Sequence, residues 1–150
     1  MIGFQSPESS PDWESQTNLV KFPRRKRSNV KKRILIVDDV EDIRLMLRLK
    51  IANTFPQMQI VEAASGMMAS VELAKSSFDL VISDMNMANG DGLWLHFFIE
   101  QCHADTPLVF FVCSPERIPS AVGTRKVFAK TEANGLLNEL LVRWGTNEAE

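Results

Sequence analysis

The sequence predicts an α/β domain in which a five-stranded parallel sheet is covered by helices on both faces. Short apolar runs bounded by polar residues alternate with longer stretches whose apolar residues recur every three or four positions, the pattern of strands alternating with amphipathic helices. Three of the short runs, ILIV at 34–37, LVIS at 80–83 and LVFFVC at 108–113, are almost continuously apolar, as strands buried on both faces must be. With 150 residues, 45% apolar and 24% charged, the chain is long enough for one core and too short for two full domains.

The elements can be placed in order. Residues 1–20 are rich in Ser, Pro, Gln and Asn with only scattered apolar residues, and are expected to be disordered. Lys21–Arg33, KFPRRKRSNVKKR, is strongly basic: residues 1–33 carry eight Lys/Arg against three Asp/Glu, a balance of +5, and residues 34–150 nine against sixteen, a balance of −7. Such asymmetry marks a tail that differs physically from the body. Strands are expected at Ile34–Val37, Gln59–Ala63, Leu80–Ser83, Leu108–Cys113 and Val127–Ala129. The first helix spans Glu41–Asn53, where Val40, Ile43, Leu47 and Ile51 share a face and Arg44 and Arg48 take the other side. Further helices span Gly66–Lys75, Gly92–His103 and Ala133–Trp144, the last with a core stripe of Leu136, Leu137, Leu140, Leu141 and Trp144. Between Ser114 and Val127 only twelve residues remain, with Pro115, Pro119 and Gly123 among them, so a helix there is short or missing.

Parallel α/β sheets bind ligands beyond the carboxyl ends of their strands, so the residue after each strand is where chemistry is expected. The first strand ends in Asp38-Asp39, the third in Asp84, the fourth in Ser114 and the fifth in Lys130. Three carboxylates held together repel one another unless a cation compensates them, and an all-oxygen cluster suits Mg²⁺. An ammonium and a hydroxyl beside them are the groups that neutralise a transferring phosphoryl group, and an aspartate can accept that group covalently. Cys102 and Cys113, expected to be half-buried thiols, have no ligand-like spacing, and His96 and His103 lack a third ligand; no zinc site is expected.

Over about Lys32–Trp144 this arrangement resembles the receiver domains of bacterial two-component response regulators. The segments that carry the resemblance are ILIVDDVEDIR, LVISDMNMANGDG, Ser114 at the end of an apolar strand, and Lys130. The resemblance implies a flavodoxin-like doubly wound sheet of order 2-1-3-4-5, with the helix between the last two strands shortened or missing. It implies Asp84 as phosphoacceptor, Asp38, Asp39 and Asp84 as Mg²⁺ ligands with the backbone carbonyl of Asn86, Ser114 as the hydroxyl that moves to the phosphoryl group, and Lys130 as its ammonium partner. The domain division is then 1–32 as an N-terminal extension, 33–145 as receiver and 146–150 as tail. The chain departs from the family at Ala88 and Thr131, where proline is usual, at Pro115, where a small residue is usual, and at Val127, where a switch aromatic is usual. Phe128 is one residue late and should point to the opposite face.

The implied function is a stand-alone response regulator that accepts a phosphoryl group on Asp84 with Mg²⁺ and signals through protein contact. Its partners would be a sensor histidine kinase or phosphotransfer protein and a downstream protein. No enzymatic activity beyond slow self-dephosphorylation is implied; a phosphohydrolase would need a second carboxylate where Asn86 stands. The alternative is a receiver-like interaction module indifferent to phosphorylation. LWLHFFI at 93–99 is too apolar for one buried stripe, which makes Trp94 and Phe98 candidates for a homodimer or partner surface. The basic arm alone is weak ground for nucleic-acid binding. No run approaches the roughly 18 apolar residues of a membrane span, and neither membrane insertion nor a secretory signal is expected, so the location is expected to be cytoplasmic.

Overall fold

The computed structural model describes residues 31–145; the expectations for residues 1–30 and for the tail 146–150 lie outside the described residues. In chain order the elements are β1 (Arg33–Val37), α1 (Glu41–Thr54), β2 (Gln59–Ala63), α2 (Gly66–Lys75), β3 (Leu80–Ser83), α3 (Gly92–Cys102), β4 (Leu108–Val112), β5 (Val127–Ala129) and α4 (Ala133–Trp144). Between β4 and β5 stand two single 3₁₀ turns, Pro115–Arg117 and Ser120–Val122, in place of a helix. Pro115 opens the first turn, where its missing N–H is no obstacle, but Pro119 lacks the N–H that would close a helical turn onto the Pro115 carbonyl. Among the described residues, no helix is long and apolar enough to cross a membrane.

The strands are parallel in the order β2-β1-β3-β4-β5. β1 lies between β2 and β3, so strand order reverses there and a crevice opens beyond its carboxyl end. The two-residue period of β1 sends Leu35 and Val37 to one face and Ile34 and Ile36 to the other. On the first face they meet Ala69 and Leu73 of α2 and Leu95 and Ile99 of α3. On the second they meet Leu47 and Ile51 of α1 and Leu136 and Leu140 of α4. Leu137, Leu141 and Trp144 pack at the edge of this second layer, as the leucine stripe predicts.

In β5, Val127 joins the α2/α3 layer and Phe128 the α1/α4 layer, so Phe128 does face away from the side on which a switch aromatic would stand. Two expectations need correction. Cys102 and Cys113 are both exposed, not half-buried: β4 makes its last pairing at Val112 with Ala129, which leaves Cys113 beyond the sheet, and Cys102 ends α3. In α3 the exposed aromatics are Trp94 and Phe97, 38% and 45% accessible. Phe98 instead packs against the core and stacks on Trp94, with centroids 5.4 Å apart. Leu95, His96 and Ile99 form the buried stripe, so Phe97, two positions from Leu95 and from Ile99, falls outside it.

Candidate phosphoacceptor site

The sheet itself positions the site. The N–H of Asp38 donates to the Ala63 carbonyl at 3.1 Å, that of Asp84 to the Val37 carbonyl at 2.9 Å, and that of Lys130 to the Val112 carbonyl at 2.7 Å. Each of these residues therefore extends the backbone ladder one step past its strand, with the main chain fixed and the side chain directed beyond the sheet.

Those side chains converge. Lys130 Nζ stands 2.8 Å from Asp38 Oδ2 and 3.0 Å from Asp84 Oδ2. Asp38 Oδ1 accepts the Val40 N–H at 2.9 Å, and Asp84 Oδ1 accepts the Met85 N–H at 2.7 Å. Asp38 and Asp84 are buried and Asp39 is exposed, yet one carboxylate oxygen from each of the three lies within 4.8 Å of the others. Asp39, Asp84, Asn86, Ser114 and Lys130 line a single cavity of about 290 Å³. All the residues expected at the site are thus brought together.

Burial raises the Asp38 carboxyl above its ordinary value, and the nearby Asp84 charge adds to this against the lowering pull of Lys130 and the Val40 N–H. Burial alone would lower the Lys130 pKa, but its hydrogen bonds to Asp38 and Asp84 outweigh that, and the ammonium is held charged. Three carboxylates against one ammonium leave an acidic all-oxygen cluster that fits a hard divalent cation.

The loop after Asp84 is pinned at both ends. Asn89 and Gly90 take positive φ, 61° and 97°, a turn for which Gly and Asn are suited. The Gly90 and Asn89 carbonyls accept the first N–H groups of α2, from Gly66 at 2.7 Å and Met67 at 3.0 Å. Asp91 caps α3 by accepting the Trp94 N–H at 2.9 Å. A Cβ on Gly92 would lie 2.5 Å from the Asp84 carbonyl oxygen, so the Asp91-Gly92 pair both caps α3 and lets it abut Asp84.

Two contributors escape sequence reading. Arg117 and Ile118 line the same cavity, because the turn opened by Pro115 folds Arg117 back, its N–H reaching the Ser114 carbonyl at 2.9 Å. Pro115 was the available signal. Arg44 and Arg48, on the side of α1 away from its apolar face, reach Glu62 of β2 at 2.8 and 2.7 Å, and Arg44 Nη1 also donates to the Asp38 carbonyl at 2.6 Å. Their four-residue spacing suggested a shared helix face, but not a partner on β2.

A family model for the response regulator receiver domain matches residues 34–135. Over 78 residues the chain is 35% identical to the response regulator protein PilR of Pseudomonas aeruginosa, a match that covers 52% of this chain and only 17% of that relative. The chemotaxis response regulator CheY4 of Vibrio cholerae is similar in structure, with a TM-score of 0.65 and 27% identity over 76% of this chain and 98% of that one. TrrA of Thermotoga maritima, crystallised in complex with Mg²⁺-BeF, shares the fold with a TM-score of 0.64 and 24% identity, over 73% of this chain and 96% of its own.

Proposed function

Because the chain belongs to the response regulator receiver domain family, we propose that it is a phosphoacceptor switch. Asp84 takes a phosphoryl group from a sensor histidine kinase or phosphotransfer protein, Mg²⁺ is the cofactor, and the output is contact with a downstream protein. One observation carries the reading: a single ammonium, Lys130, bridges Asp38 and Asp84 at 2.8 and 3.0 Å beside the open carboxylate of Asp39. The alternative of an interaction module indifferent to phosphorylation is not favoured, because the groups that phosphoryl transfer needs are assembled together.

In this reading an Asp84 carboxylate oxygen forms the new O–P bond as the bond from phosphorus to the donor imidazole breaks and the nitrogen keeps the electron pair. Asp38, Asp39, Asp84 and the Asn86 backbone carbonyl would hold Mg²⁺, which when bound would neutralise charge on the phosphoryl oxygens. Lys130, whose Nζ already stands 3.0 Å from Asp84 Oδ2, gives a positive charge beside the incoming phosphoryl oxygens. Ser114 donates its hydroxyl to a phosphoryl oxygen, which draws the start of the β4–β5 stretch toward the site.

Acetyl phosphate or beryllofluoride with Mg²⁺ tests this on the native chain and Asp84→Ala, by mass for the acyl phosphate and by tryptophan fluorescence for the response. A metal-dependent gain of one phosphoryl group in the native chain, absent in Asp84→Ala, is expected. No metal-dependent response in the native chain rejects the proposal.

A further inference from the structure

The shortened stretch before β5 leaves a second cleft, of about 600 Å³, which the acceptor chemistry does not use. It is lined at the amino ends of β4 and β5, whereas the acceptor residues follow the carboxyl ends. Its walls combine apolar surface from Leu108 and Val122 with His96, Arg125, Lys126 and Arg143. That volume falls in the range of small-molecule sites, about 300–1,000 Å³.

His96 is the unusual member, being 2% accessible on the buried stripe of α3. Its Nδ1 accepts a hydrogen bond from Arg125 Nε at 2.8 Å. A ring nitrogen that accepts carries no proton, so the neutral ring holds its proton on Nε2. Burial, and then the Arg125 charge, hold this histidine below its ordinary pKa, which favours the neutral ring. The Nε2–H is consequently a buried donor, and among the described residues it has no hydrogen-bond partner. The Glu100 carboxylate stands 3.4 Å away and the Ala121 backbone acts on the ring as a weak hydrogen-bond acceptor, but neither contact has the geometry of a closed bond.

Arg125 adds a second unspent group. It is half-buried, spends its Nε on His96, and makes no ion pair among the described residues, although the Glu100 carboxylate is near enough for its charge to favour the guanidinium. Lys126 and Arg143 differ, because both already share Glu139 at 3.0 and 3.1 Å. Buried donors of this kind are normally satisfied, and a guanidinium fork with an N–H beside it matches two oxygens of one acid group.

We propose that this cleft binds a small organic oxyanion, whose phosphate or carboxylate accepts from His96 Nε2–H and the Arg125 guanidinium while its apolar body rests on Leu108 and Val122. Glu100 is the group it displaces. That side chain is 52% accessible, and its carboxylate is drawn toward Nε2 without being held.

Phenyl phosphate and benzoate, with benzyl alcohol as the uncharged control, are the probes for an NMR titration of the full chain in metal-free buffer. Saturable shifts are expected at the amides of Gly123 to Lys126 and on the His96 ring, and none with benzyl alcohol. Response to phenyl phosphate alone identifies a phosphate ester, and response to benzoate alone a carboxylate; either supports the site. Arg125→Gln should weaken binding at least tenfold, and Glu100→Gln should tighten it several-fold. No saturable shift with either acid, shifts confined to the surroundings of Asp84, or equal affinity in Arg125→Gln would overturn the proposal. Should Arg125→Gln fail to fold by circular dichroism, Glu100→Gln decides alone, and the absence of tightening counts against the site.

Discussion

The carboxyl ends of β1, β3 and β5 and the carboxyl end of β4 are built differently. At the first three, Asp38, Asp84 and Lys130 are each the last rung of the backbone ladder. Ser114 instead stands two residues past Val112, where β4 makes its last pairing, and its own carbonyl serves the 3₁₀ turn that follows. Asp38, Asp84 and Lys130 are therefore placed by the sheet, through long-range backbone bonds. The Ser114 hydroxyl is placed by local turns, which reach the core chiefly through Val122 and Ile118. On the proposed function, chemistry and response rest on separate supports, and each can be broken while the other is left standing.

The largest effect is expected on the sheet-built side. Lys130→Ala removes the one ammonium between Asp38 and Asp84. The rate of acyl phosphate formation should fall by roughly a hundredfold, the usual loss when one fixed charge-stabilising donor is deleted. The same change leaves the cluster more negative, so Mg²⁺ should bind more tightly by calorimetry. Looser metal binding in this variant would mean that the lysine orients the carboxylates and does not merely oppose their charge.

Next comes the abutment of α3. In Gly92→Ala the new methyl must displace the Asp84 carbonyl, 2.5 Å away, and overpacking of this kind costs about 1–3 kcal/mol. The urea midpoint should fall, with a loss of phosphoacceptance larger than the stability change explains, because the atom that moves belongs to the acceptor. On the other side of the comparison, Val122→Ala should cost about 1.5 kcal/mol at ~0.8 kcal/mol per buried methyl group, since Val122 is buried against the α2/α3 layer. Acyl phosphate formation should stay within about twofold, against the roughly hundredfold loss set for the lysine. A large kinetic loss in Val122→Ala would join the two regions that the hydrogen bonds divide.

This division also explains what could be read from the sequence. The strands and the polar residues at their ends were legible because a buried parallel strand is written as an apolar run, and a strand-end residue is simply the next one along. LVIS followed by Asp84 needs no long-range knowledge. The missing helix was legible from Pro115, Pro119 and Gly123. The contents of that stretch were not. Arg117 reaches the acceptor cavity by folding back over one turn, and Arg125 meets His96 across 29 positions of chain. Neither contact follows a period. Cys113 was misplaced because apolar character continues past Val112 while strand pairing stops there.

The smallest expected effect concerns what lies beneath the acceptor. Glu62 is flanked by Arg44 and Arg48, and Arg44 also holds the Asp38 carbonyl. Burial works to raise the Glu62 carboxyl, but hydrogen bonds from Arg48 and Arg44 prevail and hold it below the ordinary 4.5. A carboxylate depressed in the folded state adds stability that is present above its unfolded value and is lost as pH falls through the folded one. Glu62→Gln should therefore be less stable than the native chain near neutrality, by about 0.5–1 kcal/mol for a pair this open to water. The gap should close in acid, below the ordinary glutamate range. Chemical denaturation across that range checks the sign. A gap that persists in acid would show that Glu62 acts through packing and not through charge. In that case the brace under Asp38 would rest on Arg44 alone.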